Sequence, residues 1–437
     1  MKHAPLHFVG LLVAGILFSV HPVTHAQPAG YNYDEAKVGN YTLPDPLVCQ
    51  DGTKVADAAT WKTKRRPEIL QLFESQMHGR SPARPKDLKF EVTATDKNAL
   101  GGKATRKEIT VRFGAEKDAA VMHLLVYLPN GLQQPAPAFL GVNFDGNHTL
   151  NADPAITLTE QWTWNNKEKR AELTRPADAT RGQSSGRWPL EMVLARGYAV
   201  ATIPRADIEP DFTEGWRNGV RGYFLKKSGK TEFAPDDWGG VAAWAWGLSR
   251  ALDYLETDRD IDAKHVVVMG HSRMGKAALW AGASDERFAA VISNDSGESG
   301  AALSRRDFGE TVARINTSFP HWFCANYKRY NTNVTALPFD AHLLVALSAP
   351  RPVYVASAVE DKWADPKGEF LAAKHAEPVY ALFKKAGLGV AEWPAVNQPV
   401  GDVVCYHVRT GKHDVLDYDW EQYLAFADRN FKGGKAK

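Results

Sequence analysis

Cysteine is scarce: three in 437 residues, too few for a disulfide scaffold and enough for at most one bridge within the chain. Cys49, Cys324 and Cys405 have no metal-ligand spacing and nothing that marks a catalytic thiol, so they read as structural. Charge of one sign is also missing, because 53 Lys+Arg stand against 51 Asp+Glu for a formal net charge of +2. That leaves no strong field to attract nucleic acid or an anionic membrane. The short basic clusters at 62–66 and 226–230 are mixed with polar residues, as solvated faces are. No internal repeat, low-complexity tract or obvious linker interrupts the chain. With 44% hydrophobic residues it is neither disordered, collagenous nor fibrous, and it holds enough apolar mass for a large core.

Long hydrophobic runs are limited to one, 8–20 (FVGLLVAGILFSV), preceded by Lys2 and followed by Thr24-His25-Ala26 before Gln27. A basic start, a 13-residue apolar stretch and small residues at a cleavable bond form a signal peptide over 1–26. The run is too short to span a bilayer. Residues 27–437 are then expected to be one exported domain with no integral membrane association, in periplasm or medium, and monomeric.

Residues 61–77 carry apolar positions on a helical period. The segments 89–95 and 107–113 alternate polar with apolar as half-buried antiparallel strands do, and 121–128 continues that sheet. Further on, apolar β-rich runs at 139–144, 198–203, 265–269, 289–292, 353–356 and 403–408 alternate with helical segments at 190–196, 238–256, 276–282, 368–386 and 420–431. Strands apolar on both faces and separated by helices predict a mostly parallel sheet covered by helices, with an N-terminal antiparallel extension. The stretches 151–186 and 304–339 show no clear strand pattern, and their Trp, Asn, Arg and Tyr suit a polar-aromatic rim.

Chemistry concentrates at Val268-Met269-Gly270-His271-Ser272-Arg273-Met274-Gly275-Lys276. An apolar strand ends in Gly-x-Ser and a helix starts at once. This puts the hydroxyl of Ser272 on a tight strand-to-helix turn, with the next N–H free for an oxyanion, as in the α/β-hydrolase fold. Gly275 falls one place later than the second Gly of G-x-S-x-G. Such a serine needs a base, which follows it in the chain. Of the histidines after Ser272, His413 occupies a Gly-containing loop between the last strand and the final helix. His407 lies inside that strand and reads as a packed residue. The orienting acid is open between the strand-end pair Glu360/Asp361 and Asp295.

Gly270-His271-Ser272-Arg273-Met274-Gly275-Lys276 resembles the G-C-S-R-x-G-K signature of the glucuronoyl esterases, carbohydrate esterase family 15, in the bacterial form with His for Cys. The resemblance continues through Ser293-Asn294-Asp295-Ser296-Gly297, Phe308-Gly309-Glu310-Thr311, Phe319-Pro320-His321-Trp322-Phe323-Cys324, Glu360-Asp361-Lys362-Trp363 and Lys412-His413-Asp414. It implies an α/β-hydrolase fold, a Ser272 nucleophile, a His413 base and an oxyanion contact from Arg273. Asp361 matches the acid of many bacterial members and Asp295 the position of the fungal acid, which favours Asp361 with Asp295 in support. Lys276, Glu310 and Trp363 match residues that contact the sugar. The fungal disulfide beside the serine has no counterpart, because His271 and Asp414 replace its cysteines.

The function this implies is a secreted serine carboxylic ester hydrolase. It would cleave esters of (4-O-methyl-)glucuronic acid in glucuronoxylan and lignin-carbohydrate linkages through an acyl-enzyme, with no metal or cofactor. The alternatives are a non-catalytic carbohydrate-binding protein on the same fold, or another serine hydrolase such as an acetyl esterase or peptidase. Intact Ser272 and His413 argue against the first. The absence of a propeller-like repeat before the catalytic half argues against a peptidase.

Overall fold

A computed structural model describes Met1 and residues 27–432, so the signal peptide expected over 1–26 lies outside the described residues. Eleven strands are present among them: β1 (Lys89–Asn98), β2 (Ala104–Arg112), β3 (Val121–Pro129), β4 (Ala136–Asn143), β5 (Gln161–Asn165), β6 (Arg170–Thr174), β7 (Ala199–Pro204), β8 (Ile261–His271), β9 (Ala290–Asn294), β10 (Val353–Ala358) and β11 (Val404–Arg409). Nine of them form one sheet in the order β1-β2-β3-β7-β4-β8-β9-β10-β11. The pairs β1/β2, β2/β3 and β3/β7 are antiparallel, and every pair from β7 to β11 is parallel. This is the α/β-hydrolase architecture with the antiparallel extension.

Alternation along β8 shows why the sheet needs cover on both sides. Val266 and Val268 enter one hydrophobic cluster, Val267 and Met269 the other, and all four are buried. Helices α1 (Gly240–Leu255), α2 (Arg273–Ser284) and α3 (Pro366–Leu382) close the first face, and α4 (Asp417–Phe431) with the short helix Leu190–Ala195 closes the second. Every residue of α1 is buried. It lies so close to the segment after β7 that a Cβ on Gly247 would sit 2.3 Å from Cδ1 of Ile208.

Two expectations change. The helix over 61–77 is a chain of short pieces, in which π turns at Trp61–Arg65 and Glu74–His78 flank an α-helical Arg66–Phe73. Pro67 has no N–H to return to the preceding turn, and the winding widens just before it. Within 151–186 the structure forms the hairpin β5–β6, separate from the main sheet. Its five-residue strands contain no buried residue, so they lack the apolar run that marks a buried strand. Cys49, Cys324 and Cys405 are all buried free thiols.

Candidate active site

At the carboxyl end of β8 the chain turns sharply into α2. Ser272 occupies this corner with φ 58° and ψ −129°, a left-handed conformation that costs a non-glycine residue on the order of 1–3 kcal/mol. The corner is held by the N–H of Ser272 donating to the carbonyl of Asn294 at 2.9 Å, and by the N–H of Gly275 donating to the carbonyl of Ser272 at 2.8 Å. Glycine is required at 270, where a Cβ would stand 2.0 Å from the carbonyl oxygen of Met274. Ser272 is half-buried, with Arg273 beside it at the first position of α2.

His413 lies in the loop between β11 and α4, and its ring centroid is 4.4 Å from that of His271, the neighbour of Ser272. Its Nδ1 lies 2.6 Å from Oδ2 of Asp361, which follows β10 and is buried. A carboxylate only accepts, so Nδ1 is the nitrogen that donates, and in the neutral ring this leaves the lone pair on Nε2. Asp295 follows β9 and approaches the same place, with a carboxylate oxygen within 4.8 Å of the Asp361 and His413 ligand atoms. Oδ1 of Asp295 accepts from the N–H of Ala358 at 2.7 Å, and Oδ2 is buried without a hydrogen bond among the described residues. Burial first, and then the charge of Asp361, raise the pKa of Asp295 well above the usual carboxyl range. The two acids therefore stand in different environments, and only Asp361 touches the imidazole.

The loop carrying His413 is fastened by Arg409, at the end of β11. Its guanidinium donates to the carbonyls of Thr410 (3.0 Å), Lys412 (3.0 Å) and Asp414 (2.5 Å), and its Nε to Asp419 at 2.8 Å. At the two positions where the sequence resemblance implies a disulfide in other members, His271 Nδ1 donates to Oδ1 of Asn294 at 2.6 Å, and Asp414 accepts from Nε of Arg187 at 2.6 Å. Those hydrogen bonds brace both sides of the His271–His413 contact.

The guanidinium of Arg273 lies over the ring of Trp322, 4.7 Å from its centroid, and donates to Oδ2 of Asp211 at 2.6 Å. Asp211 also accepts from Arg205 (2.8 Å), from Nε2 of His321 (2.9 Å) and from the indole of Trp322 (2.7 Å). Burial alone would raise its pKa, but His321, Arg205 and Arg273 prevail and hold it well below the usual range. Lys276, one turn along α2, is buried and donates to the carbonyl of Ser296. Burial lowers its pKa against the opposing pull of Glu310 and Glu298. Glu310 is also buried, and its N–H donates to the carbonyl of Trp363 at 3.0 Å. Burial raises the pKa of Glu310, with Lys276 the largest opposing influence. Trp363 is half-buried, edge-on to Tyr31 at 4.9 Å.

The eight residues singled out in the sequence thus gather around the carboxyl ends of β8, β9, β10 and β11. Asp211, Arg205 and Arg409 were not anticipated. Asp211 sits in an irregular segment after β7 with no periodic pattern, and Arg409, the last residue of β11, falls one place past the apolar run 403–408. His321, another histidine after Ser272, donates to Asp211 and is not part of the His413–Asp361 pair.

A family model described as "Glucuronyl esterase, fungi" matches residues 190–384. The chain is 52% identical to carbohydrate esterase MZ0003 of an unknown prokaryotic organism, over 97% of this chain and 98% of that protein. It is 27% identical to 4-O-methyl-glucuronoyl methylesterase 1 of Wolfiporia cocos, over 92% of this chain and 81% of that protein. Among solved structures it is similar to the glucuronoyl esterase from Solibacter usitatus, with a TM-score of 0.87 and 54% identity, covering 91% of this chain and 100% of that one.

Proposed function

The chain belongs to the glucuronoyl esterases of carbohydrate esterase family 15, and we propose that it cleaves (4-O-methyl-)glucuronate esters by a serine mechanism after export. The observation that carries this reading is the 2.6 Å contact of His413 Nδ1 with Asp361, beside the strained turn at Ser272. With its proton fixed on Nδ1, His413 offers Nε2 to the Ser272 hydroxyl. Oγ attacks the ester carbonyl as its proton passes to Nε2, and the carbonyl becomes a tetrahedral oxyanion. The backbone N–H and guanidinium of Arg273 receive that charge, each donor of this kind lowering the barrier by about 2.7–4 kcal/mol. When the oxyanion collapses, the alcohol leaves with the proton from Nε2 and the uronate acyl group stays on Ser272. Water, deprotonated by the same nitrogen, then adds to the acyl carbonyl and releases the free acid.

Lys276, Glu310 and Trp363 are proposed to hold the sugar. A buried cation and a buried carboxyl offer a donor and an acceptor to ring hydroxyls, and the indole offers an apolar wall. The natural ester is proposed to join glucuronoxylan to lignin alcohols. Export is proposed from the leader at 1–26, with 27–437 a single catalytic domain; no helix among the described residues is long and apolar enough to cross a membrane.

Turnover of benzyl glucuronate by the wild type and by Ser272→Ala tests the mechanism. A loss on the order of 10⁶ with ligand binding retained is expected. Ordinary turnover by the variant would remove Ser272 from the mechanism. Activity on simple acetates or peptides in place of the uronate ester would instead favour one of the other hydrolase readings.

A further inference from the structure

A groove of about 450 Å³ opens between the hairpin β5–β6 and the edge of the sheet at β3. We propose that it is a subsite for a neutral pyranose unit of the polysaccharide that carries the ester, several sugars away from the glucuronate. The proposal rests on the uronate-ester reading above and extends it from the acid to the chain behind it.

Position comes first. β3 runs antiparallel to β7 with Leu125 opposite Thr202, which brings His123 level with Pro204, the last residue of β7. β7, β4 and β8 are parallel neighbours, so His123 lies on the same carboxyl edge as Ser272, three strand spacings or about 14 Å along it. The hairpin is tied to the Arg273 side as well, because Trp164 packs on Phe212, the residue after Asp211, at 5.6 Å. A linear glycan with its uronate at Ser272 can therefore run along this edge into the groove.

Chemistry comes second. In the hairpin register Trp162 faces Leu173, so both side chains emerge on one face, and both line the groove. An indole next to an aliphatic side chain suits the C–H face of a pyranose. Across from them, Asp207 accepts from both the N–H (2.8 Å) and Nδ1 (2.7 Å) of His123. That fixes the ring and leaves its Nε2 free of any protein partner among the described residues. Thr159 and Gln161 also line the groove, and their Oγ1 and Nε2 atoms are buried just behind it without partners among the described residues. Residues with hydroxyl, amide and imidazole groups lining one groove beside an aromatic wall suit a sugar rather than a purely aromatic ligand. Among the lining residues Asp207 is paired with His123, Glu160 is the remaining carboxyl, and no Lys or Arg joins them, so a second uronate finds no guanidinium or ammonium to pair with and an uncharged sugar suits the groove better.

Three esters test this: methyl glucuronate, benzyl glucuronate, and the methyl ester of a glucuronic acid borne on a β-1,4-xylo-oligosaccharide. Trp162→Ala, and Leu173→Asp at a position already 48% exposed, are expected to raise KM for the oligosaccharide ester about tenfold. Both monosaccharide esters should stay within about twofold. Equal effects on all three esters, or none, overturn the proposal. A loss confined to benzyl over methyl also overturns it, because the groove would then hold the alcohol part. Calorimetry with an unsubstituted xylo-oligosaccharide reads the groove without turnover. Weaker binding by both variants supports the subsite whatever the fate of the ester reading, and unchanged binding removes it.

Discussion

Nδ1 of His413 meets Oδ2 of Asp361 at 2.6 Å, whereas the nearby Asp295 gives one oxygen to the N–H of Ala358 and buries the other. The difference separates two carboxyls that the sequence offers as equals. Asp361→Asn removes the acceptor that fixes the imidazole tautomer and is expected to lower kcat on the order of 10⁴. Asp295→Asn puts a neutral amide where burial already disfavours charge, so kcat should fall by about tenfold or less. Steady-state kinetics on benzyl glucuronate compares the two, and the reverse ranking would assign the acid to Asp295.

Asp211 sets a second dependence, since it fixes the guanidinium of Arg273 at 2.6 Å. Arg273→Ala is expected to lower kcat by about 10²–10³, the loss of one charged donor to the oxyanion. Asp211→Asn should lower kcat less. It should also destabilise the fold by about 3–5 kcal/mol, because two partly buried cations, Arg205 and Arg273, lose their shared anion. Kinetics paired with urea unfolding separates the catalytic from the stability effect.

Glu369 makes stability depend on pH. It is buried on α3 behind the acids, accepting from the N–H of Gly297 (2.9 Å) and the hydroxyls of Ser296 (3.2 Å) and Ser357 (2.6 Å). Burial raises its pKa to about 8 in spite of those donors. From the ordinary carboxyl range near 4.5 up to about 8 the native state holds a proton that the unfolded chain has released. This group's contribution to stability therefore falls as pH rises through that window. The midpoint of urea unfolding for Glu369→Gln, measured between pH 5 and 8, should show a flatter decline than the wild type. Parallel declines would assign the slope to other groups.

Gly270→Ala tests the turn itself. The added methyl would meet a backbone carbonyl, not the end of a flexible side chain, so strand and helix must separate. A destabilisation of about 3 kcal/mol is expected, with activity on the ester lost as Ser272 moves. Thermal unfolding and turnover measured on the same preparation check both.

Much of this protein was legible in the residues themselves. All nine strands of the main sheet lie at or within a few residues of the β-rich runs: the parallel strands because a strand buried on both faces must be apolar, as Val266–Met269 are, and β1 and β2 because a strand with one covered face alternates. The hairpin β5–β6 is not legible in this way, because a pair of five-residue strands with no buried residue has no such requirement. The π turns around Arg66–Phe73 escaped as well, since apolar spacing does not distinguish a widened turn from a regular one.

The chain by itself determined the order of strands and helices, the corner at Ser272 and the short set of histidines and acids that could serve it. These depend on local constraints: periodicity, a missing Cβ at Gly270 and the place of a loop after a strand. Which carboxyl touches His413, that Arg409 fastens its loop, and that Asp211 gathers Arg205, Arg273, His321 and Trp322 were decided only by tertiary structure. Those contacts join residues 52 to 111 positions apart in the cases of Asp361–His413 and Asp211–Trp322, brought together where neighbouring strands end on one edge of the sheet. A hydrogen bond at such separation leaves no periodic trace in sequence, because its geometry exists only once the sheet has set the register of its strands.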